Sequence, residues 1–105
     1  AAGAEVVCIN SGEHVDMKKL LQLLGERKIS SVYVEGSGSV NFSLLRDGLV
    51  DKLCAFIAPK LLGGRTALTP VEGDGFDEPS EAVMLKDIKI ETLDGDLLLS
   101  GLVRK

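Results

Sequence analysis

The run Ser30-Ser31-Val32-Tyr33-Val34-Glu35-Gly36-Ser37-Gly38-Ser39-Val40-Asn41-Phe42 constrains this chain more than any other stretch. A β-branched and aromatic segment stops at a carboxylate, breaks into small residues and then takes up a helical pattern. It reads as strand, turn and helix start. Glycine at such a junction lets the backbone come close to a neighbour. The first helical N–H groups, unpaired and at the positive end of the helix dipole, favour an anion. A phosphate group suits Gly36-Ser37-Gly38 for these reasons. The third glycine of the dinucleotide fingerprint G-x-G-x-x-G would fall at Asn41, so that fingerprint is not met. On the residues alone, a structural βα turn that uses glycine only for its backbone angles stands beside the anion-site reading.

A chain of 105 residues fits a single domain, 1–105, and should bury about two thirds of the surface exposed by its unfolded form. With 45% apolar residues but only 4% aromatic, the expected core is built from Leu, Val, Ile and Ala. A net charge of −4 offers no basic stripe to displace counterions, which argues against a nucleic-acid partner. Cys8 and Cys54 sit in apolar β-like runs and are expected as small buried hydrophobes of a reducing compartment. The apolar runs are too short to span a bilayer, and no basic segment precedes one at the start, so a cytoplasmic protein without a membrane partner is expected.

In chain order, Ala4-Glu5-Val6-Val7-Cys8-Ile9 reads as a buried strand, followed by turn residues Asn10-Ser11-Gly12. Asp16 stands as N-cap before Met17, Leu20, Leu21 and Leu24, which predicts an amphipathic helix over 16–27. His14 has no partner histidine, cysteine or carboxylate cluster and is expected in solvent without a role; no metal site is expected. The central strand 31–34 leads to a second helix over 39–47, closed by Gly48. A third strand, 50–58, ends at Pro59. The order βαβαβ predicts an α/β fold with a parallel core. A long loop follows, rich in glycine and proline from Thr69 to Ser80. Segments 83–93 and 96–103 flank Asp94-Gly95, which predicts a C-terminal antiparallel hairpin with a type I′ turn.

Five motifs in one collinear order carry a resemblance. They are Val34-Glu35-Gly36-Ser37-Gly38, Leu49-Val50-Asp51-Lys52-Leu53, Ala58-Pro59-Lys60-Leu61-Leu62-Gly63-Gly64-Arg65-Thr66-Ala67, Glu72-Gly73-Asp74-Gly75-Phe76 and Gly95-Asp96-Leu97-Leu98-Leu99-Ser100-Gly101. Over nearly its whole length the chain resembles the C-terminal half of the riboflavin-biosynthesis reductase domain, the one often fused behind a pyrimidine deaminase. The resemblance implies the C-terminal part of a dihydrofolate-reductase-like three-layer fold. It also implies NADPH as hydride donor and reduction of a ribosylamino pyrimidine 5-phosphate to its ribitylamino product. It further implies that the chain is part of a longer reductase domain, since the family's domain begins well upstream. Where the family usually shows Glu-Gly-Gly, this chain has Glu35-Gly36-Ser37.

Hydride transfer needs alignment of donor and acceptor rather than a protein nucleophile, so no catalytic residue is assigned. Gly36, Ser37, Gly38, Ser39 and Val40 are the candidate cofactor-binding residues. Glu35 is the candidate substrate contact, implied by the resemblance and by its place at the carboxyl edge of a strand; a carboxylate that fixes the turn by bonding nearby amides is the alternative. For the whole chain the alternative is a non-catalytic nucleotide-phosphate-binding or assembly module. A homo-oligomer is expected, with strand 50–58 or the hairpin 83–103 at its interface, because a partial α/β sheet leaves apolar edges and faces uncovered.

Overall fold

A computed structural model describes residues 3–11 and 14–105. The chain divides into two compact units, Ala1–Val34 and Glu35–Lys105.

In the first unit, β1 (Asn10–Ser11) pairs antiparallel with β2 (His14–Val15) through Asn10↔Val15 and Ser11↔His14. The turn expected at 10–12 thus overlaps a ladder, and Gly12 lies outside the described residues. Helix α1 (Met17–Glu26) begins where the sequence places it: the Asp16 carboxylate accepts from Lys19 N at 3.1 Å and satisfies a first-turn donor. Met17, Leu20, Leu21 and Leu24 are half-buried on one face. Arg27 pairs with Glu5, and His14 is exposed.

The second unit carries α2 (Gly38–Arg46), β3 (Lys52–Ile57), a 3₁₀ turn (Pro79–Glu81), β4 (Leu85–Leu93) and β5 (Asp96–Val103). Ser37 caps α2, and Gly48, at φ 69°, follows its end, as expected. The sheet is three-stranded and antiparallel, in the order β3-β5-β4. Strands β4 and β5 form the predicted hairpin; Asp94 at φ 49° and Gly95 at φ 90° supply the paired positive angles that a type I′ turn demands. A register shift between Lys86 and Lys89 interrupts the β4–β5 ladder, and Asp87 there stands at φ 53°. Residues 58–84 form the expected long connection, relieved only by the 3₁₀ turn.

The mixed α/β content matches expectation, but the parallel core does not form among the described residues. Segments 4–9 and 31–34 belong to no ladder, and Val6, Val32, Tyr33 and Val34 are exposed. An apolar β-branched run shows only that a segment suits a pleated surface, whereas a strand exists when a partner backbone takes up its N–H and C=O groups. The two-residue turn at Asp94-Gly95 brings such a partner next to β5 at small entropic cost, while parallel pairing requires a crossover of a dozen or more residues.

Two further expectations are corrected. The buried apolar side chains among the described residues are Phe42 (5% exposed) and Leu44 (4%), so an aromatic residue stands at the centre where a mainly aliphatic core was expected. Cys8 and Cys54 are exposed thiols. Cys8 lies in the unpaired run 4–9, and Cys54 alternates with Lys52 and Phe56 on the open face of β3, opposite the half-buried Leu53 and Ala55.

Candidate functional site

The residues singled out by sequence, Glu35 to Val40, lie together at the N-terminal end of α2. Ser37, at φ −70° and ψ 164°, is the N-cap; its Oγ accepts from Val40 N at 3.4 Å, and its carbonyl accepts from Asn41 N at 3.0 Å. One first-turn donor of the candidate anion site is therefore taken by the cap. The N–H groups of Gly38 and Ser39 donate to no protein acceptor among the described residues, which leaves two donors at the positive end of the helix. Gly38 is buried, whereas Gly36, Ser37 and Ser39 are exposed and Val40 is 38% exposed. The Glu35 carboxylate is exposed and accepts no hydrogen bond from a described residue, so the turn-fixing bonds of the alternative reading are not made.

A segment absent from the sequence-derived site is packed against this turn. Residues 69–76 run across the start of α2 as a strap. Glu72 N donates to Gly38 O at 2.9 Å, and Asn41 Nδ2 donates to Pro70 O at 2.8 Å. Within the strap, Thr69 N donates to Glu72 Oε1 at 3.2 Å and Thr69 Oγ1 to Val71 O at 2.9 Å. Two glycines make this approach feasible. A Cβ on Gly38 would lie 2.5 Å from Glu72 Cγ, and one on Gly73 would lie 2.5 Å from Phe42 Cδ2. Phe76 meets Phe42 edge to face, with ring centroids 5.4 Å apart at 63°. On the next turn of α2, the Arg46 guanidinium stands 5.9 Å from the Phe42 centroid and donates from Nε to Asp47 Oδ1 at 3.0 Å. The Asp47 hydrogen bond and charge, with a contribution from the charge of Asp74, raise the Arg46 pKa above its usual value.

The strap residues 72–76 were visible as a motif, but no sequence signal tied them to a turn more than 30 residues earlier; the docking is a tertiary fact. Two surface depressions in the same unit lie elsewhere. One, of about 580 Å³, is lined by Lys52, Asp87, Lys89, Ser100 and Leu102 among others. The other, of about 470 Å³, lies between the end of α2 at Leu45 and Met84, Val103 and Arg104. Neither includes Glu35 to Val40. Among the described residues, no group of three His, Cys, Asp or Glu side chains could hold a metal ion, and no helix is long and apolar enough to cross a membrane.

The donor chemistry of the α2 turn fits a pyrophosphate through Gly38 N, Ser39 N and the Ser37 hydroxyl. The turn presents two amide donors, one hydroxyl and, next to them, a Glu35 carboxylate with no hydrogen-bond partner among the described residues.

Comparison with known proteins places the chain in a lineage. Residues 2–99 match the family model described as the RibD C-terminal domain. The riboflavin biosynthesis protein RibD of Actinobacillus pleuropneumoniae is 43% identical over 98 residues, which are 93% of this chain and 26% of that protein. The 2,5-diamino-6-ribosylamino-4(3H)-pyrimidinone 5′-phosphate reductase of Methanothermobacter thermautotrophicus is 39% identical over 101 residues, which are 96% of this chain and 46% of that protein. Among solved structures, Acinetobacter baumannii RibD superposes with a TM-score of 0.75 at 28% identity, over 88% of this chain and 26% of that one. The chain thus spans between about a quarter and a half of the length of these relatives, and within that span it belongs to the RibD C-terminal domain family.

Proposed function

We propose that this chain is part of an NADPH-dependent reductase of riboflavin biosynthesis. It acts on 5-amino-6-(5-phosphoribosylamino)uracil, or the corresponding undeaminated pyrimidine, and yields the ribitylamino product. The observation that carries this reading is the 39% identity, over nearly the whole chain, to a protein named as a reductase of such a ribosylamino pyrimidine phosphate. The two unpaired amide donors of the first turn of α2, Gly38 N and Ser39 N, support it.

When bound, NADPH would supply a hydride to C1′ of the ribosyl group, and a proton from solvent would complete the reduction to the ribitylamino product. Gly36, Ser37, Gly38, Ser39 and Val40 hold its pyrophosphate: the N–H groups of Gly38 and Ser39 donate, the Ser37 hydroxyl adds a donor when it turns outward, and Val40 completes the turn. A negative group at this helix end is favoured by about 0.3–1 kcal/mol, so the turn orients the cofactor more than it anchors it. Glu35 accepts from sugar hydroxyls of the substrate. The substrate 5-phosphate is neutralised away from the α2 turn, since Arg46 on that helix is engaged by Asp47 and Phe42.

The same reading treats the two units as parts of one reductase domain whose βαβαβ core, dihydrofolate-reductase-like, becomes parallel when segments 4–9 and 31–34 are paired within the longer enzyme. The exposed apolar residues of β3 and of the hairpin, Phe56, Ile57, Ile88 and Ile90, support a homodimer or higher homo-oligomer. Use of NADPH and two free thiols support a reducing, cytoplasmic setting.

The test follows NADPH absorbance with authentic ribosylaminopyrimidine phosphate. The 105 residues alone should show no turnover, since a misplacement of about 1 Å can cost on the order of a hundredfold, whereas the longer enzyme should turn over. Steady turnover by the short chain, or none by a well-folded long one, overturns the proposal. In the long enzyme Glu35→Gln should lower kcat/KM; an unchanged value removes Glu35 from the substrate site.

A further inference from the structure

We propose that the strap 69–76 is a latch, and that its Glu72 carboxylate and an anionic ligand exclude each other at the first turn of α2. The proposal rests on the reading of that turn as the cofactor's pyrophosphate site.

Glu72 lies directly on the turn. A Cβ on Gly38 would stand 2.5 Å from Glu72 Cγ and 2.8 Å from both Cδ and Oε2. The space that an alanine would fill at the second glycine of Gly36-Ser37-Gly38 is therefore occupied by the protein's own carboxylate. Oε1 is held by Thr69 N at 3.2 Å, while Oε2, the oxygen turned to Gly38, accepts no hydrogen bond from a described residue. A phosphate held by the Gly38 and Ser39 amides would lie beside this carboxylate, and two anions that close repel each other.

The latch is also built to release. Glu72 is half-buried while the rest of the strap is exposed, and its backbone hold on the first turn is the single bond from Glu72 N to Gly38 O at 2.9 Å. Asn41 Nδ2 to Pro70 O and the Phe42–Phe76 contact tie the strap to α2 on either side of Glu72. Gly73 and Gly75, at φ 78° and 72°, supply backbone freedom beside it. Glu72 can therefore swing out while Phe76 stays on Phe42.

The experiment measures NADPH binding and amide hydrogen exchange in the longer enzyme that carries this sequence, in wild type and in Glu72→Gln and Ser39→Pro. Glutamine keeps the acceptor for Thr69 N and removes the charge. Proline at 39 removes one donor of the first turn and breaks no intrahelical bond, since Ser39 N donates to no acceptor among the described residues. Glu72→Gln should bind NADPH about fivefold tighter at low salt, with the gain shrinking as salt rises. In wild type, NADPH should speed exchange of the Glu72 amide. If Ser39→Pro weakens NADPH but Glu72→Gln leaves it unchanged or weaker, or if NADPH slows exchange at Glu72, the latch is refuted and the pyrophosphate site stands. If Ser39→Pro binds NADPH as wild type does, the site itself is refuted, and the latch with it.

Discussion

Replacing Gly73 by alanine isolates what the strap contributes to the fold, because a second glycine of nearly the same backbone angle stands two residues away as a control. Gly73 is at φ 78° and Gly75 at φ 72°. An L-residue pays about 1–2 kcal/mol in that left-handed region, and this cost is common to both positions. A Cβ on Gly75 meets nothing within 4 Å, whereas one on Gly73 would lie 2.5, 2.9 and 3.2 Å from Cδ2, Cγ and Cβ of Phe42. Phe42 is 5% exposed and bears on both Phe76 and Arg46, so it cannot yield without disturbing them. Overpacking of a core residue costs about 1–3 kcal/mol. Gly75→Ala should therefore destabilise by about 1–2 kcal/mol and Gly73→Ala by about 2–5 kcal/mol. Urea unfolding followed by circular dichroism measures both as shifts in midpoint at constant slope. A double-mutant cycle completes the test: in a Phe42→Ala background the two nearest atoms, Cδ2 and Cγ, are gone and only the 3.2 Å approach of Cβ remains, so Gly73→Ala should fall close to the cost of Gly75→Ala. If the two glycine variants are equally destabilised with Phe42 intact, the strap does not press on Phe42 as described and the reasoning fails.

The helix caps should rank by their geometry. Asp16→Ala, which removes a 3.1 Å bond to Lys19 N, is expected to cost about 1 kcal/mol, and Ser37→Ala, which removes a 3.4 Å bond, about 0.5 kcal/mol; the reverse order in thermal unfolding would count against the assigned caps. Sedimentation at rising concentration should reveal a homodimer or larger species, and Phe56→Lys on the exposed face of β3 should shift it toward monomer if that face is buried between copies. A stable monomer throughout rejects the association.

The local elements were legible in the sequence because their causes are local. Asp16 before a four-residue apolar periodicity, Ser37 before a second helix, Gly48 after it, Pro59 after a strand and Asp94-Gly95 between apolar runs each act through the backbone of a few neighbouring residues, and each stands where it was read. Family membership was legible for another reason: collinear motifs survive as residue identities whatever their packing.

Tertiary structure alone decided the pairing and the packing. The runs 4–9 and 31–34 carry every composition cue of a strand, yet ladder partners went to the hairpin and β3, since pairing depends on which backbone arrives and not on propensity. Cys54 reads as buried because its neighbours are apolar, but side-chain alternation turned it outward with Lys52 and Phe56. At the candidate site, the sequence by itself determined a glycine-rich turn at a helix start. Only the fold brought Glu72 and Gly73 back onto it, because contact between residues more than 30 positions apart leaves no periodic trace in a single sequence. The physical meaning of Gly38 changed with that contact: the missing Cβ that suggested room for a ligand is, in the folded chain, the space into which Glu72 packs.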